Sequence, residues 1–377
     1  MSTAPSAPPL VDCPHCGSVV PAGEFCGHCG AHLPGSNPRR THAFAAVPSE
    51  GVAHLSIIST LLPHLPHRRG GPFRAALIAG AALVVLLALF HLFSIATVAA
   101  LLVLPVLYLI YLYEVEIYES EPWLVIGATM VAGALLGFAL SYVLGSALAG
   151  VYLTGDRGTA FVLAGIVIPV TAQAVMLAGP LFLFFFRDRF REPLDGLTFG
   201  AASGLGFSLA TQLTALWASL AGPLILPGSP VEWAIRLLRG GLLIALVNAS
   251  TTAVVAAAIW MHRYNLRRAH APLESSIPVT LAVAFGTQVA LGSAGFLVGE
   301  LWIDTAILAI AAAALLLYVR RVIHDALLVE GAEHEIGPDA PCPECHHIVP
   351  TMAFCPHCGA ARSAASKHAR AKLAGGS

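Results

Sequence analysis

The chain is poor in charge. Only 11% of its 377 residues are Asp, Glu, Lys or Arg, against about 25% in ordinary soluble domains. That shortage excludes an ordinary soluble globular protein. The formal net charge of −1 offers no global attraction to polyanions. Cysteine is missing from the apolar middle of the chain, and all 8 cysteines lie near its two ends. Lysine and arginine are missing between Cys13 and Cys29, which removes the phosphate contacts that nucleic-acid binding needs. No apolar core follows the Ala/Ser/Pro-rich stretch Met1–Pro9, so this stretch is not expected to be a signal peptide.

What the chain does have is apolar length. Residues are 57% hydrophobic overall, and 75–320 are almost continuously so. Gly, Pro and charged punctuation divides that region into about eight runs, at 75–93, 95–113, 123–150, 158–186, 196–226, 234–262, 277–299 and 302–319. Each suits the roughly 20 residues of a membrane-crossing helix. The fold class expected is an all-α polytopic membrane protein. Arginines gather at Arg39, Arg40, Arg68, Arg69 and Arg74, then at Arg187, Arg189 and Arg191, at Arg263, Arg267 and Arg268, and at Arg320 and Arg321. The opposite loops carry little more than Arg157, with Arg236 and Arg239 inside the start of the sixth run. This alternation follows the positive-inside pattern and places both termini in the cytoplasm of a bacterial-type inner membrane. An even number of spans likewise requires both termini to lie on one side. Residues 52–65 are apolar but too short to span and end in prolines. They suit an interfacial helix, or a linker packed on the membrane domain.

The two ends repeat each other. "CPHCGSVVPAGEFCGHCGA" begins at Cys13 and "CPECHHIVPTMAFCPHCGA" at Cys342, both spaced C-x2-C-x9-C-x2-C. Two thiolates on each tight turn, and two turns per repeat, close a tetrahedron around zinc. Cys13, Cys16, Cys26 and Cys29 form one set, and Cys342, Cys345, Cys355 and Cys358 the other. Four sulfurs leave no open position, so two structural zinc ions are expected, one per ribbon. A reducing cytoplasm disfavours disulfides. Such segments resemble the short zinc ribbons at the ends of many bacterial membrane proteins, which implies contact with protein more than with nucleic acid. The expected organisation is a disordered start at 1–10, a ribbon at 11–34, a linker at 35–74, a helical membrane domain at 75–320, a linker at 321–339, a ribbon at 340–361 and a disordered basic tail at 362–377.

Polar residues inside the apolar runs are functional candidates. They are Thr171 and Gln173 in the fourth run, Thr211, Gln212 and Thr214 in the fifth, Asn248, Thr251 and Thr252 in the sixth, and Gln288 in the seventh. No Asp, Glu, His, Lys or Cys lies at mid-depth in any run. Interhelical hydrogen bonding is one account of the set, and a polar cavity is another. The acids Glu114, Glu116, Glu119 and Glu121 follow the second run. Small residues at Gly200, Ser203, Gly204 and Gly206 suit close helix contact.

An ordered set of short motifs then suggests a family. Glu121–Pro122 opens a span, a Pro-containing span follows, and then come Asp195–Gly196, Phe199–Gly200–Ala201 and Gly206–Phe207. Over roughly 105–300 this resembles the PrsW-type intramembrane proteases. Those proteases carry E-E-x-x-K in the Pro-containing span, F-x-x-x-E in the next, and histidines in two later spans. The resemblance puts Ala172, Gln173, Ala174, Val175 and Met176 on the first motif and Phe207 to Thr211 on the second. The histidines fall near Asn248, and near Gln288 or Leu291. The site implied is therefore a degenerate one, with Ala172, Gln173, Thr211, Gln212, Asn248 and Gln288 lining a polar pocket and no catalytic residue among them. The function expected is a non-catalytic membrane scaffold or regulator that sits in the lipid bilayer, with ribbons that recruit a cytoplasmic protein and also admit a homodimer. The alternatives are a protease using acids at span ends (Glu114, Glu116, Glu119, Glu121, Asp195 or Glu300), and a small-solute transporter or channel through the amide set.

Overall fold

Apolar runs without charge wind into helices because lipid leaves backbone groups no partner but each other. A computed structural model describes residues 9–34, 71–115, 123–186, 190, 192–220, 229–265, 275–331, 336–342 and 345–361. Among them are eight helical elements. Helix α1 is Gly71–Leu89, α2 is Phe93–Val115 and α3 is Trp123–Thr154. Helix α4 runs without a break through Arg157–Phe161, a π-helical stretch Val162–Val167 and Ile168–Phe184. Helix α5 is Pro193–Leu220. Helix α6 combines Pro230–Leu238, a π-helical stretch Arg239–Leu243 and Ile244–Asn265. Helix α7 is Ile277–Val298 and α8 is Leu301–Gly331. Six of them are long and apolar enough to cross a membrane. The apolar part of α1, Phe73–Leu89, is shorter, and Gly, Ser, Thr and Gln dilute α5.

The eight runs expected from hydropathy correspond to these eight helices in order. Local chemistry explains their ends. The break between α1 and α2 is a tight turn with His91 in the left-handed region, at φ 59°. Asp156 caps α4 by accepting from the N–H groups of Gly158 and Thr159, and Ser229 caps α6 through the N–H of Glu232. Gly299, at φ 68°, ends α7. The stretch 52–65 lies outside the described residues, as do the arginines of 187–189, 191 and 266–274 and the acids of 116–122.

The chain divides into two compact units. The larger comprises Gly71–Tyr111 and Ser120–Val322. Within it α6 is central, packed on α5, α4 and α7, and α5 is held between α6 and α3. Glycine makes both contacts of α5 close. A Cβ on Gly200 would lie 2.7 Å from the Ala253 Cα, and one on Gly204 2.5 Å from the Asn248 carbonyl oxygen. On the opposite face, a Cβ on Gly206 would strike the Met130 carbonyl, and one on Gly133 the Ser203 carbonyl. Hydrogen bonds add to this packing. Ser203 Oγ donates to the Met176 carbonyl at 2.6 Å, and Tyr108 Oη to the Thr198 carbonyl at 2.7 Å. Arg239, in the π stretch of α6, forms an ion pair of 2.7 Å with Asp304 near the start of α8.

The smaller unit contains Met1–Gly70, Leu112–Glu119 and Ile323–Ser377. Strands β1 (Leu10–Asp12) and β2 (Val19–Pro21) pair antiparallel in the first ribbon, and β3 (Gly337–Pro341) and β4 (Ile348–Thr351) in the second. The two ribbons are docked on each other. Phe25 N–H donates to the Pro356 carbonyl at 2.9 Å, and Phe354 N–H donates to the Gly27 carbonyl at 2.8 Å. Phe25 and Phe354 are equivalent in the repeat, as are Gly27 and Pro356, so the contact has the reciprocity of a two-fold interface. Met352 enters the core formed by Cys13, Val20, Cys26, Cys29, Ala31 and Leu33, and Leu328 of α8 packs on it.

Candidate functional sites

The two cysteine sets are built alike. In each CxxC turn the residue after the second cysteine returns its N–H to the first cysteine's carbonyl. Gly17 bonds to Cys13, Gly30 to Cys26, His346 to Cys342 and Gly359 to Cys355, at 2.8–2.9 Å. That turn needs a left-handed residue, and the three glycines supply it at φ 70–74°. His346 adopts the same conformation at φ 60°. Within each set the four sulfurs lie within 4.8 Å of one another. Cross-turn pairs stand at 3.8 Å, Cys13 to Cys29 and Cys342 to Cys358 among them. No disulfide joins the described cysteines, and each set can hold a metal ion. A hydrogen bond from Cys29 pulls the Cys26 thiol down to about 5, and the same bond together with burial pushes Cys29 up. Binding an ion displaces the protons that crowding retains, so metal retention falls as pH falls.

In the membrane unit the polar candidates come together only in part. Gln288 of α7 is the hub. Its Nε2 donates to Asn248 Oδ1 at 2.8 Å, to Thr251 Oγ1 at 3.3 Å and to Gln173 Oε1 at 3.3 Å. Asn248 Nδ2 donates onward to Ser208 Oγ at 2.8 Å, and Gln173 Nε2 reaches Thr252 Oγ1 at 3.5 Å. Four helices, α4 to α7, thus meet in one amide and hydroxyl cluster, with Gln173, Thr251 and Thr252 fully buried.

Three of the expected positions, Gln173, Asn248 and Gln288, are brought together. Of the two places considered for the last, Gln288 is in the cluster, whereas Leu291 packs with the apolar group around Leu243 and Leu308. Ala172 brings no polar group. Thr211 Oγ1 bonds to the carbonyl of Ser208 in its own helix, and Gln212 faces Gly240. The α5 member of the cluster is Ser208, one turn before Thr211. Its hydroxyl was one of many in a Gly/Ser-rich helix, and only its pairing with Asn248 distinguishes it. The π stretches end shortly before Gln173 and Asn248. One inserted residue turns the remainder of its helix by about 100°, which helps to aim both amides at the hub.

This arrangement can bond polar groups to each other. It has no group of ordinary pKa near neutrality to abstract a proton. Among the described residues, no cluster of three or more His, Cys, Asp or Glu able to hold a metal lies in this unit.

A helical bundle of membrane-crossing length, joined to two four-cysteine ribbons, defines a polytopic membrane protein with metal-binding ends. Residues 121–317, over half of the chain, match the model of the PrsW family intramembrane metalloproteases, and the chain belongs to that family. No curated protein and no solved structure matches it. The metal that the family description implies calls for carboxylates and imidazoles. The amide and hydroxyl cluster does not suit such an ion.

Proposed function

We propose that the chain is a non-proteolytic member of its family, a membrane scaffold or regulator that binds a membrane-embedded partner. The observation that supports this reading is the cluster of Gln173, Ser208, Asn248, Thr251, Thr252 and Gln288, which occupies a convergence of four helices without a carboxylate or imidazole. A buried amide stays neutral at any physiological pH and can hydrogen-bond a polar group on a partner helix. It cannot deprotonate water. The site is thus a degenerate one, and the ribbons are its cytoplasmic contact. On this reading they hold structural zinc and recruit a cytoplasmic protein, the chain sits in a bacterial-type inner membrane, and both termini face the cytoplasm, as the arginine pattern suggests.

The test is reconstitution in liposomes with a helical membrane peptide carrying a mid-span amide. The expected result is a complex that can be crosslinked and no cleavage product. Cleavage that survives stringent purification, and stops on substitution of Asp195, Asp304 or Glu300, would overturn the reading. Family membership favours that second outcome. Against it stands the position of these acids near helix ends, with Asp304 already paired to Arg239.

A further inference from the structure

The two ribbons share a repeat, yet one of them carries an additional cluster of ligands. Cys345, His347 and His357 hold their donor atoms within 4.8 Å of one another. The equivalent positions of the first ribbon are Cys16, Ser18 and His28, and among the described residues no such group forms there. We infer that the second ribbon binds two transition-metal ions, with the second held by His347 and His357 and joined to the first through the Cys345 thiolate. The inference rests on the reading that the four cysteines hold an ion of their own.

The donor types and their closeness support it. The imidazoles of His347 and His357 are stacked, with centroids 3.7 Å apart and planes 14° from parallel; an ion lies in the plane of each ring that ligates it, so one ring turns out of this stack for both to share the ion. His347 Nδ1 lies 3.1 Å from the Cys345 carbonyl. A proton on that nitrogen donates to the carbonyl and leaves Nε2 as the lone-pair donor, the usual orienting bond of a metal-bound histidine. His357 Nδ1 is buried and has no hydrogen-bond partner among the described residues. In the tautomer that leaves this nitrogen unprotonated, an ion would supply the partner it lacks.

The sulfur has capacity to spare. A divalent ion with four thiolates carries a net charge of −2, and each sulfur keeps lone pairs beyond the one it has donated. A second cation is therefore attracted, and a bridging thiolate can bind it. An ion with sulfur at about 2.3 Å and nitrogen at about 2.0 Å spaces its donors by roughly 3.3–3.6 Å. The exposed His347 is the ring free to turn out of the stack and close the remaining distance. One sulfur and two imidazoles leave a coordination position open to water, so this ion exchanges readily. The donor set suits zinc, cobalt(II) or copper(I) better than magnesium or calcium.

The experiment is a cobalt(II) titration of the full chain in detergent, followed by metal analysis and by the cobalt–thiolate absorption bands. The expected result is one equivalent more in the unaltered chain than in the His347→Ala/His357→Ala variant, with the bands of the two cysteine sets kept in both. Retained bands also report that the variant's ribbons are folded. Equal stoichiometry of two in both proteins would overturn the inference and leave the ribbons' own sites standing. Loss of a cysteine-set band in the variant would overturn it too, because the histidines would then belong to the first ion's support. Fewer than two equivalents in the unaltered chain would remove the ribbon reading, and the inference with it.

Discussion

His346 is the one residue that breaks the pattern of the four CxxC turns. It holds φ 60° where Gly17, Gly30 and Gly359 hold 70–74°. A side chain in that region costs about 1 kcal/mol relative to glycine. His346→Gly is therefore expected to slow metal release from the second ribbon to a chelator by about fivefold. Gly17→Ala is expected to hasten it in the first, where the added Cβ meets open space and only the backbone conformation is penalised. A chelator-exchange time course on each variant reads both. Gln288 shows the opposite economy. Its amide nitrogen shares two protons among three oxygens, so Gln288→Leu strands Gln173 and Asn248 acceptors inside the bundle. A loss of about 1–3 kcal/mol is expected for groups left without a partner, read as a lowered midpoint of thermal unfolding in detergent. An unchanged midpoint would mean that the cluster is wet and open, which would favour a solute pathway over a closed scaffold.

At the scale of elements, the contact of α5 with α6 is set by the absence of side chains. Gly196, Gly200 and Gly204 recur every four residues, and a Cβ on any of them would come within 2.8 Å of α6. Gly204→Leu forces the two backbones apart by the thickness of a side chain. The same shift would separate Ser208 from Asn248, which are now 2.8 Å apart. The expected result is a large loss of folded yield, read by size-exclusion profile, whereas Gly127→Leu on α3, whose Cβ meets nothing within 4 Å, is expected to be tolerated. Much of this level was legible in the sequence. Helix number and order follow from hydropathy, because a charge-free run in lipid has one good conformation. The small-residue face of α5 was visible from composition. The π stretches were not, since Val162–Val167 and Arg239–Leu243 contain nothing but ordinary helical residues, and an extra residue per turn is decided by what the helix packs on. Ser208 stayed hidden for the same reason.

At the scale of the molecule, the two ends of the chain are partners of each other. Spacing alone could show that Cys13 and Cys342 begin equivalent ribbons. It could not show that the ribbons dock, because the interface depends on shape at Gly23, Gly27, Met352 and Pro356, residues with no common chemical signature. The pairing within one chain occupies a face of each ribbon, so the recruitment proposed above would have to use the faces that remain. It is also expected to couple the two cysteine sets. Phe25 and Phe354 each give a backbone N–H to the opposite ribbon, and each such bond contributes about 1 kcal/mol. A ribbon that loses its partner loses that support together with the apolar contact of Met352. Gly23→Val tests the coupling without touching a cysteine turn, since its Cβ would lie 2.6 Å from the Pro356 carbonyl oxygen. The expected outcome is metal release from both cysteine sets about tenfold faster than in the unaltered chain, with the loss in the second ribbon as large as in the first although the substitution is in the first. Cys13→Ser, which removes a ligand from one set, is expected to produce the same acceleration at the other. Release that changes only in the substituted ribbon would make the two ends independent modules that happen to touch, and separate recruitment of a partner by each ribbon would be the better account of why one chain carries the same ribbon twice.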